Sequence, residues 1–237
     1  MKVQLFIPCF IDQLFPQTAL NTVKVLEKAG CEVSYNVNQT CCGQPAYNAG
    51  CWDDCRPVAG KFMHDFGSPE YIVAPGGSCV GFVRNHYDKL ITDTSLLQNP
   101  VHTRIYELTE FLTDIMQLDD FGASFKSRAT YHDACGALRE CGIKAAPRKL
   151  LSNVAGLKLL ETEDCEVCCG FGGTFAVKFE SISSGMAEQK VQYACKKGAE
   201  YIISTDYSCL LQLDSYIKKN LMPIKTIHIA DVLANGW

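Results

Sequence analysis

Fourteen of the 237 residues are cysteine, and eight of them recur in one order. Cys9 is followed by Cys41-Cys42-Gly43 and then Cys79; Cys135 is followed by Cys168-Cys169-Gly170 and then Cys209. The gaps hold 31 and 36 residues in the first series and 32 and 39 in the second. So many thiols call for disulfides, metal binding or reactivity as an explanation. Disulfides staple small secreted scaffolds that lack a core. Here 47% of residues are hydrophobic, and the first apolar run ends at Asp12 without a small-residue cleavage site. Reduced thiols in a soluble, cytoplasmic protein are therefore the expectation.

The adjacent pairs bear on which metal is bound. Structural zinc sites use Cys-x-x-Cys spacing, whereas neighbouring residues reach one tetrahedral ion poorly. A centre of several irons relaxes that constraint, because adjacent thiolates can bind different irons. The expected ligands are Cys9, Cys41, Cys42 and Cys79 in one half and Cys135, Cys168, Cys169 and Cys209 in the other, holding iron–sulfur clusters. A non-redox scaffold with zinc in at least one half is the competing reading. Gly43 and Gly170 are the candidate cofactor-contacting glycines, since the position after each pair needs either a positive φ or close approach of backbone to an inorganic core. Helices starting just after Cys42, Cys79, Cys169 and Cys209 would aim free N–H groups at the anionic centre.

The remaining cysteines read differently. Cys51 and Cys55 share a helix face, Cys31, Cys141 and Cys195 read as packing residues, and Cys165 forms a Cys-x-x-Cys with Cys168 that leaves it open as an extra ligand. His132-Asp133, beside Cys135, reads either as a proton-transfer or ligand-supporting pair or as a locally satisfied strand end.

Positioning these residues requires sites at matching places in two repeats. Displacing the chain by 126 to 130 residues superposes the cysteine landmarks, which marks an internal duplication. Short apolar runs alternate with amphipathic stretches, the pattern of an α/β protein with mostly parallel sheets flanked by helices. Strands are expected at Val3–Pro8, Glu32–Asn36, Tyr71–Pro75, Ala129–His132, Leu157–Thr162, Tyr201–Ser204 and Lys225–Ile229. Helices are expected at Thr18–Ala29, Tyr47–Phe66, Val80–Leu90, Arg148–Val154, Thr174–Lys197 and Tyr207–Lys219, with Ile105–Leu118 as a helix bridging the halves. The division is 1–118, a linker at 119–127 and 128–237. All eight cysteines then follow strand carboxyl ends, the rim where open parallel sheets build ligand sites.

Other chemistries find little support. A net charge of −4 and pI near 5.7 offer no phosphate-tracking surface for nucleic acid. No apolar stretch approaches the roughly 20 residues of a membrane-spanning helix. Gly170-Phe-Gly-Gly-Thr174 lacks the lysine of a phosphate loop and reads as a loop around the metal centre. A single catalytic thiol does not account for eight repeated cysteines, and no dinucleotide fingerprint follows the first strand.

The motifs Thr40-Cys-Cys-Gly-Gln-Pro45, Pro75-Gly-Gly-Ser-Cys79, Tyr131-His-Asp-Ala-Cys135, Cys168-Cys-Gly-Phe-Gly-Gly-Thr-Phe175, Ser208-Cys-Leu-Leu211 and His228-Ile-Ala-Asp-Val-Leu233 give the chain a resemblance to the lactate utilization protein A family of cysteine-rich CCG-domain proteins. It is similar more distantly to two proteins with the same paired motif, a thiol/disulfide-reductase component of heterodisulfide reductase and the iron–sulfur subunit of glycolate oxidase. The resemblance implies an oxidoreductase component of an L-lactate-oxidising complex, relaying electrons beside a larger iron–sulfur protein and a third subunit. The wider pattern ends Cys-x-x-Cys, but this chain has Phe82 and Gln212 at the final positions. Four thiolates per half suit an ordinary [4Fe–4S] cluster rather than the unusual cluster of the reductase. A single cluster shared between the halves is also open.

Overall fold

The computed structural model describes residues 1–91 and 100–237. The first half runs β1 (Lys2–Leu5), α1 (Cys9–Leu14), α2 (Pro16–Lys28), β2 (Glu32–Tyr35), α3 (Gln44–Asn48), α4 (Trp52–Asp65), β3 (Tyr71–Ala74), α5 (Gly77–Leu90), β4 (Ile105–Glu107) and α6 (Leu108–Glu110), which passes into a π-helical turn at Phe111–Ile115. The second runs β5 (Ser124–Tyr131), a π-helical turn at Gly136–Glu140, α7 (Ala145–Ser152), β6 (Ala155–Leu159), α8 (Thr174–Lys178), α9 (Glu180–Lys196), β7 (Tyr201–Ser204), α10 (Tyr207–Lys219), β8 (Lys225–His228) and α11 (Ile229–Leu233).

Each half forms a four-stranded sheet, ordered β2-β1-β3-β4 and β6-β5-β7-β8. Every pairing is parallel. The inner strands carry near-continuous apolar runs, Tyr71–Ala74 and Tyr201–Ser204, because helices cover both faces. Strand order reverses between β1 and β3 and between β5 and β7, and the carboxyl end at such a reversal opens a crevice.

One core is common to both sheets. Val3, Leu5, Val73, Leu108 and Phe111 pack in one buried cluster with Ala129, Tyr131, Leu150, Ile203 and Ile229. Helix α2 packs on α11 across this seam. Two further clusters, around Phe6, Phe62 and Phe82 and around Ala187, Val191 and Leu213, fill the outer sides.

Three expected elements differ. The segment Ile105–Leu118 opens with a strand, not a helix: Ile105, Tyr106 and Glu107 pair with Ile72, Val73 and Ala74, and the partner strand overrides local preference. The helix expected over Tyr47–Phe66 is two helices, because Gly50 turns left-handed at φ 83° and Cys51 leaves helical geometry. The helix expected over Thr174–Lys197 breaks at Phe179, whose φ of −131° and ψ of 51° lie outside the helical region. Strand β5 also begins at Ser124, inside the segment expected as linker.

Candidate metal centre

Six connections leave the strand carboxyl ends and carry the eight repeated cysteines. Cys9 opens α1 beyond β1, Cys41 and Cys42 precede α3, and Cys79 stands in the first turn of α5. Cys135 enters the π-helical turn beyond β5, Cys168 and Cys169 precede α8, and Cys209 stands in the first turn of α10. Cys79 and Cys209 thus lie two residues into their helices, in the first turn, where backbone N–H groups are unpaired.

All eight line one cavity of about 290 Å³. All fourteen cysteines are free thiols. In the first half the Sγ atoms of Cys9 and Cys41 are 3.7 Å apart and those of Cys42 and Cys79 3.4 Å apart. In the second half the Cys168 thiol interacts with those of Cys135 and Cys169, and the Cys169 thiol with that of Cys209. The eight cysteines, four from each half, thus line a single cavity.

The glycines after the pairs have matching geometry. Gly43 has φ 92° and Gly170 φ 89°, the left-handed region that side chains disfavour. That bend turns the Gly43 amide onto Cys41 Sγ at 3.4 Å and the Gly170 amide onto Cys168 Sγ at 3.4 Å. Hydrogen bonds from Cys42 and Cys9 hold the Cys41 thiol down at about 3. Those from Cys135 and Cys169 hold Cys168 at about 2. The partners move the other way: Cys9 and Cys135 are pushed up by donating to Cys41 and Cys168, with burial adding to it. Cys42 and Cys169 are raised for the same reasons. Each quartet therefore carries one ready thiolate, the ligand form of cysteine, ringed by thiols that metal binding would deprotonate.

Contact between the halves closes the cavity. A Cβ on Gly77 would lie 2.4 Å from that of Ala137, and one on Gly136 2.7 Å from Ser78 Cα. Only glycine lets these two segments touch, bringing the one that carries Cys79 against the one that carries Cys135. The Ser78 amide donates to Asp206 Oδ2 at 2.9 Å, and Asp206 also caps α10 by accepting from the Ser208 amide.

The positions of the missing fifth thiolate support the wall instead. Phe82 is buried against Tyr47, Tyr87 and His86. Gln212 Nε2 donates to Ser183 Oγ at 2.7 Å, and Ser183 Oγ donates to the Gly170 carbonyl at 2.8 Å. Tyr87, buried, donates to the Cys42 carbonyl at 2.7 Å and anchors the first pair from behind.

The remaining six cysteines stand off the cavity wall. Cys51 is exposed, and Cys55 is buried and donates to the Gly43 carbonyl. Cys31 rests 4.0 Å from the Met116 sulfur, and burial pushes the Cys141 thiol up to about 12. Cys195 is half-buried. The carbonyl of Cys165 accepts from the Asp133 amide at 3.0 Å, and burial raises its thiol.

Asp206, Glu140 and Lys190 escaped the sequence reading. Asp206 and Glu140 line the cavity, whereas Lys190 is buried behind Cys169 and Cys209. A capping aspartate two residues before Ser208 was the one signal available for Asp206. The pair His132-Asp133 divides its roles. Asp133 forms a two-pronged ion pair with Arg148, whose distances are both 2.8 Å, and Arg148 also holds Glu161. His132 is buried with its imidazole held uncharged, its pKa lowered to about 3 by burial and then by Lys190.

Two parallel α/β repeats, each bringing four cysteines to the wall of one cavity, define a duplicated, cysteine-rich α/β protein. The family described as “CCG: Cysteine-rich domain” matches residues 3–84 and 129–214. The chain is 42% identical to “Lactate utilization protein A” of Exiguobacterium sp. over 99% of its own length and 98% of that protein. It is 40% identical to “Lactate utilization protein A 2” of Bacillus cereus, covering 100% and 99%, and 39% identical to the Oceanobacillus iheyensis “Lactate utilization protein A”, covering 98% and 96%. Among solved structures, a hypothetical protein from Helicobacter pylori shares the fold, with a TM-score of 0.57 and 11% identity over 98% of this chain and 48% of that one. The chain belongs to the cysteine-rich CCG-domain family and, within it, to the lactate utilization protein A group.

Proposed function

We propose that this protein is a redox component of a lactate-utilization system, with an iron–sulfur cluster held by the four motif thiolates of each half, 1–118 and 128–237. The observation that carries the reading is the pair of free-thiol quartets, identical in order and glycine geometry, on the wall of one cavity. Sulfur-only donors in the first half are soft ligands of the kind such clusters take. The names of the relatives supply the lactate context, and a protein of this kind works beside a larger iron–sulfur partner that delivers or removes electrons.

A bound cluster supplies one-electron acceptance and donation. The chain contributes the rest. Cys41 and Cys168 stand ready as thiolates, and the Gly43 and Gly170 amides donate to those sulfurs, stabilising negative charge and favouring the reduced state. Apolar packing behind Cys42 and Cys169, each about 1% exposed, keeps water from the inner sulfurs. No helix among the described residues is long and apolar enough to cross a membrane.

The test is iron, zinc and acid-labile sulfide analysis of anaerobically purified protein together with electron paramagnetic resonance. Brown protein with about four irons per occupied half and matching sulfide is expected. Colourless protein carrying zinc alone would replace this reading with that of a scaffold.

A further inference from the structure

The two halves differ behind their quartets. The Phe6 amide donates to the Val73 carbonyl at 2.9 Å, and the His132 amide donates to that of Ile203 at 2.8 Å. Phe6 and His132 thus hold the same place, three residues before Cys9 and Cys135. Likewise Cys55 Sγ donates to the Gly43 carbonyl and Ser183 Oγ to that of Gly170, which sets α4 and α9 in one register. Seven residues further along each helix stand Phe62 and Lys190. In the first half Phe6 and Phe62 meet edge to face with centroids 4.8 Å apart. In the second half the equivalent places hold an imidazole and an amine.

His132 is 2% exposed, and neither ring nitrogen makes a hydrogen bond of ordinary geometry, its contact with the Cys165 backbone being a weak one. A buried polar atom without a partner costs about 1–3 kcal/mol, so the site needs a reason for it. Lys190 does not supply one, because its amine donates to the carbonyls of Asp164 and Cys165. Its backbone is tied on both sides, with the amide donating to Ile203 and the carbonyl accepting from Ser204 Oγ at 2.9 Å. What faces it is sulfur: ligand atoms of His132, Cys169 and Cys209 lie within 4.8 Å of one another, all buried. Among the described residues His132 is the histidine grouped with cysteines in this way.

We propose that His132 is a nitrogen ligand to the metal centre of the second half, so that this half offers a mixed sulfur–nitrogen donor set and the first half sulfur alone. This rests on the reading that the quartets hold metal. Imidazole gives a lone pair without adding negative charge, so as a fifth donor it leaves the second centre with the same thiolate charge as the first. The buried Lys190 amine near Cys169 and Cys209 favours added negative charge there, so the second centre is the one reduced first.

The experiment compares anaerobic full-length protein made with natural-abundance and with nitrogen-15 histidine, alongside His132→Phe, whose new ring is the one the first half already accommodates. Pulsed electron paramagnetic resonance of the protein reduced by one electron should show a strong, label-sensitive nitrogen coupling in the first signal to appear. His132→Phe should abolish that coupling and leave the other signal unchanged. The wild-type measurement stands whether or not the variant folds. Iron in both halves with no histidine coupling in either signal overturns the proposal and leaves the iron–sulfur reading intact. Zinc in place of iron, with a nitrogen in its X-ray absorption shell that His132→Phe removes, sinks the iron–sulfur reading but upholds His132 as a ligand. Zinc held by sulfur alone, or no metal at all, overturns both.

Discussion

The backbone amide of Ser78 donates to the buried carboxylate of Asp206 at 2.9 Å, joining the first turn of α5 to the cap of α10 across 128 residues. One side chain thus holds both halves and satisfies two amides beside the cysteine-lined cavity. Asp206→Ala should strand the Ser78 amide and uncap α10, lowering stability by about 1–3 kcal/mol. Asp206→Asn, which keeps an acceptor oxygen, should lose less. Urea unfolding of the two variants tests this ranking, and equal midpoints for Ala, Asn and wild type would refute it.

Cys42 belongs to the first quartet alone, with its sulfur 3.4 Å from that of Cys79. Cys42→Ser is expected to remove about one cluster's worth of iron and leave the second signal in place, and Cys169→Ser should do the converse. Iron analysis with spectral assignment of the surviving signal checks both. Full iron in either variant would mean that the sulfur in question is not a ligand.

Gly43 and Gly170 share a left-handed backbone but not their surroundings. A Cβ on Gly43 would meet Cys55 Sγ at 2.9 Å, whereas on Gly170 it would meet the Ser183 carbonyl at 2.6 Å. Alanine at either place costs about 1 kcal/mol in conformation. Gly170→Ala adds a backbone collision worth about 1–3 kcal/mol more. Its melting temperature should therefore fall further than that of Gly43→Ala, and the reverse order in calorimetry would contradict the geometry.

Glu107 ends β4 fully buried, accepting from the Thr109 and Glu110 amides and from the Thr109 and Thr205 hydroxyls. Burial raises its carboxyl from 4.5 to about 7. The native state then binds a proton that the unfolded chain has already released. The contribution of Glu107 to stability is fully present below pH 4.5 and is lost as pH rises through about 7. The slope approaches about 1.4 kcal/mol per pH unit at most. Glu107→Gln keeps the acceptor oxygen and should flatten the profile in that window. Denaturation midpoints followed from about pH 4.5 to a little above 7 would count against this if wild type and variant ran parallel.

The strands at Tyr71–Ala74 and Tyr201–Ser204 stood out because a short apolar run flanked by turn residues is a local signal. Strand β4 did not. Ile105-Tyr106-Glu107 is too short to carry a period and becomes a strand only through pairing with β3. The breaks at Gly50 and Phe179 were hidden for a related reason: helical periodicity runs on through them, while the backbone has to turn to bring α4 and α9 under the cysteine pairs.

By itself the sequence determined the chemistry on offer: eight thiols in two equal series, paired and followed by glycine, within repeats that alternate strand and helix. Those features are local, written in residue type and spacing, and Gly43 and Gly170 announce their φ angles through lacking a side chain. Only the tertiary structure decided that both quartets face one cavity, that Gly77 and Gly136 let the halves touch there, and that His132 stands where its counterpart is Phe6. Each of these depends on which distant residues come into contact, and that is settled by how two sheets bury a common core, not by any stretch of chain alone.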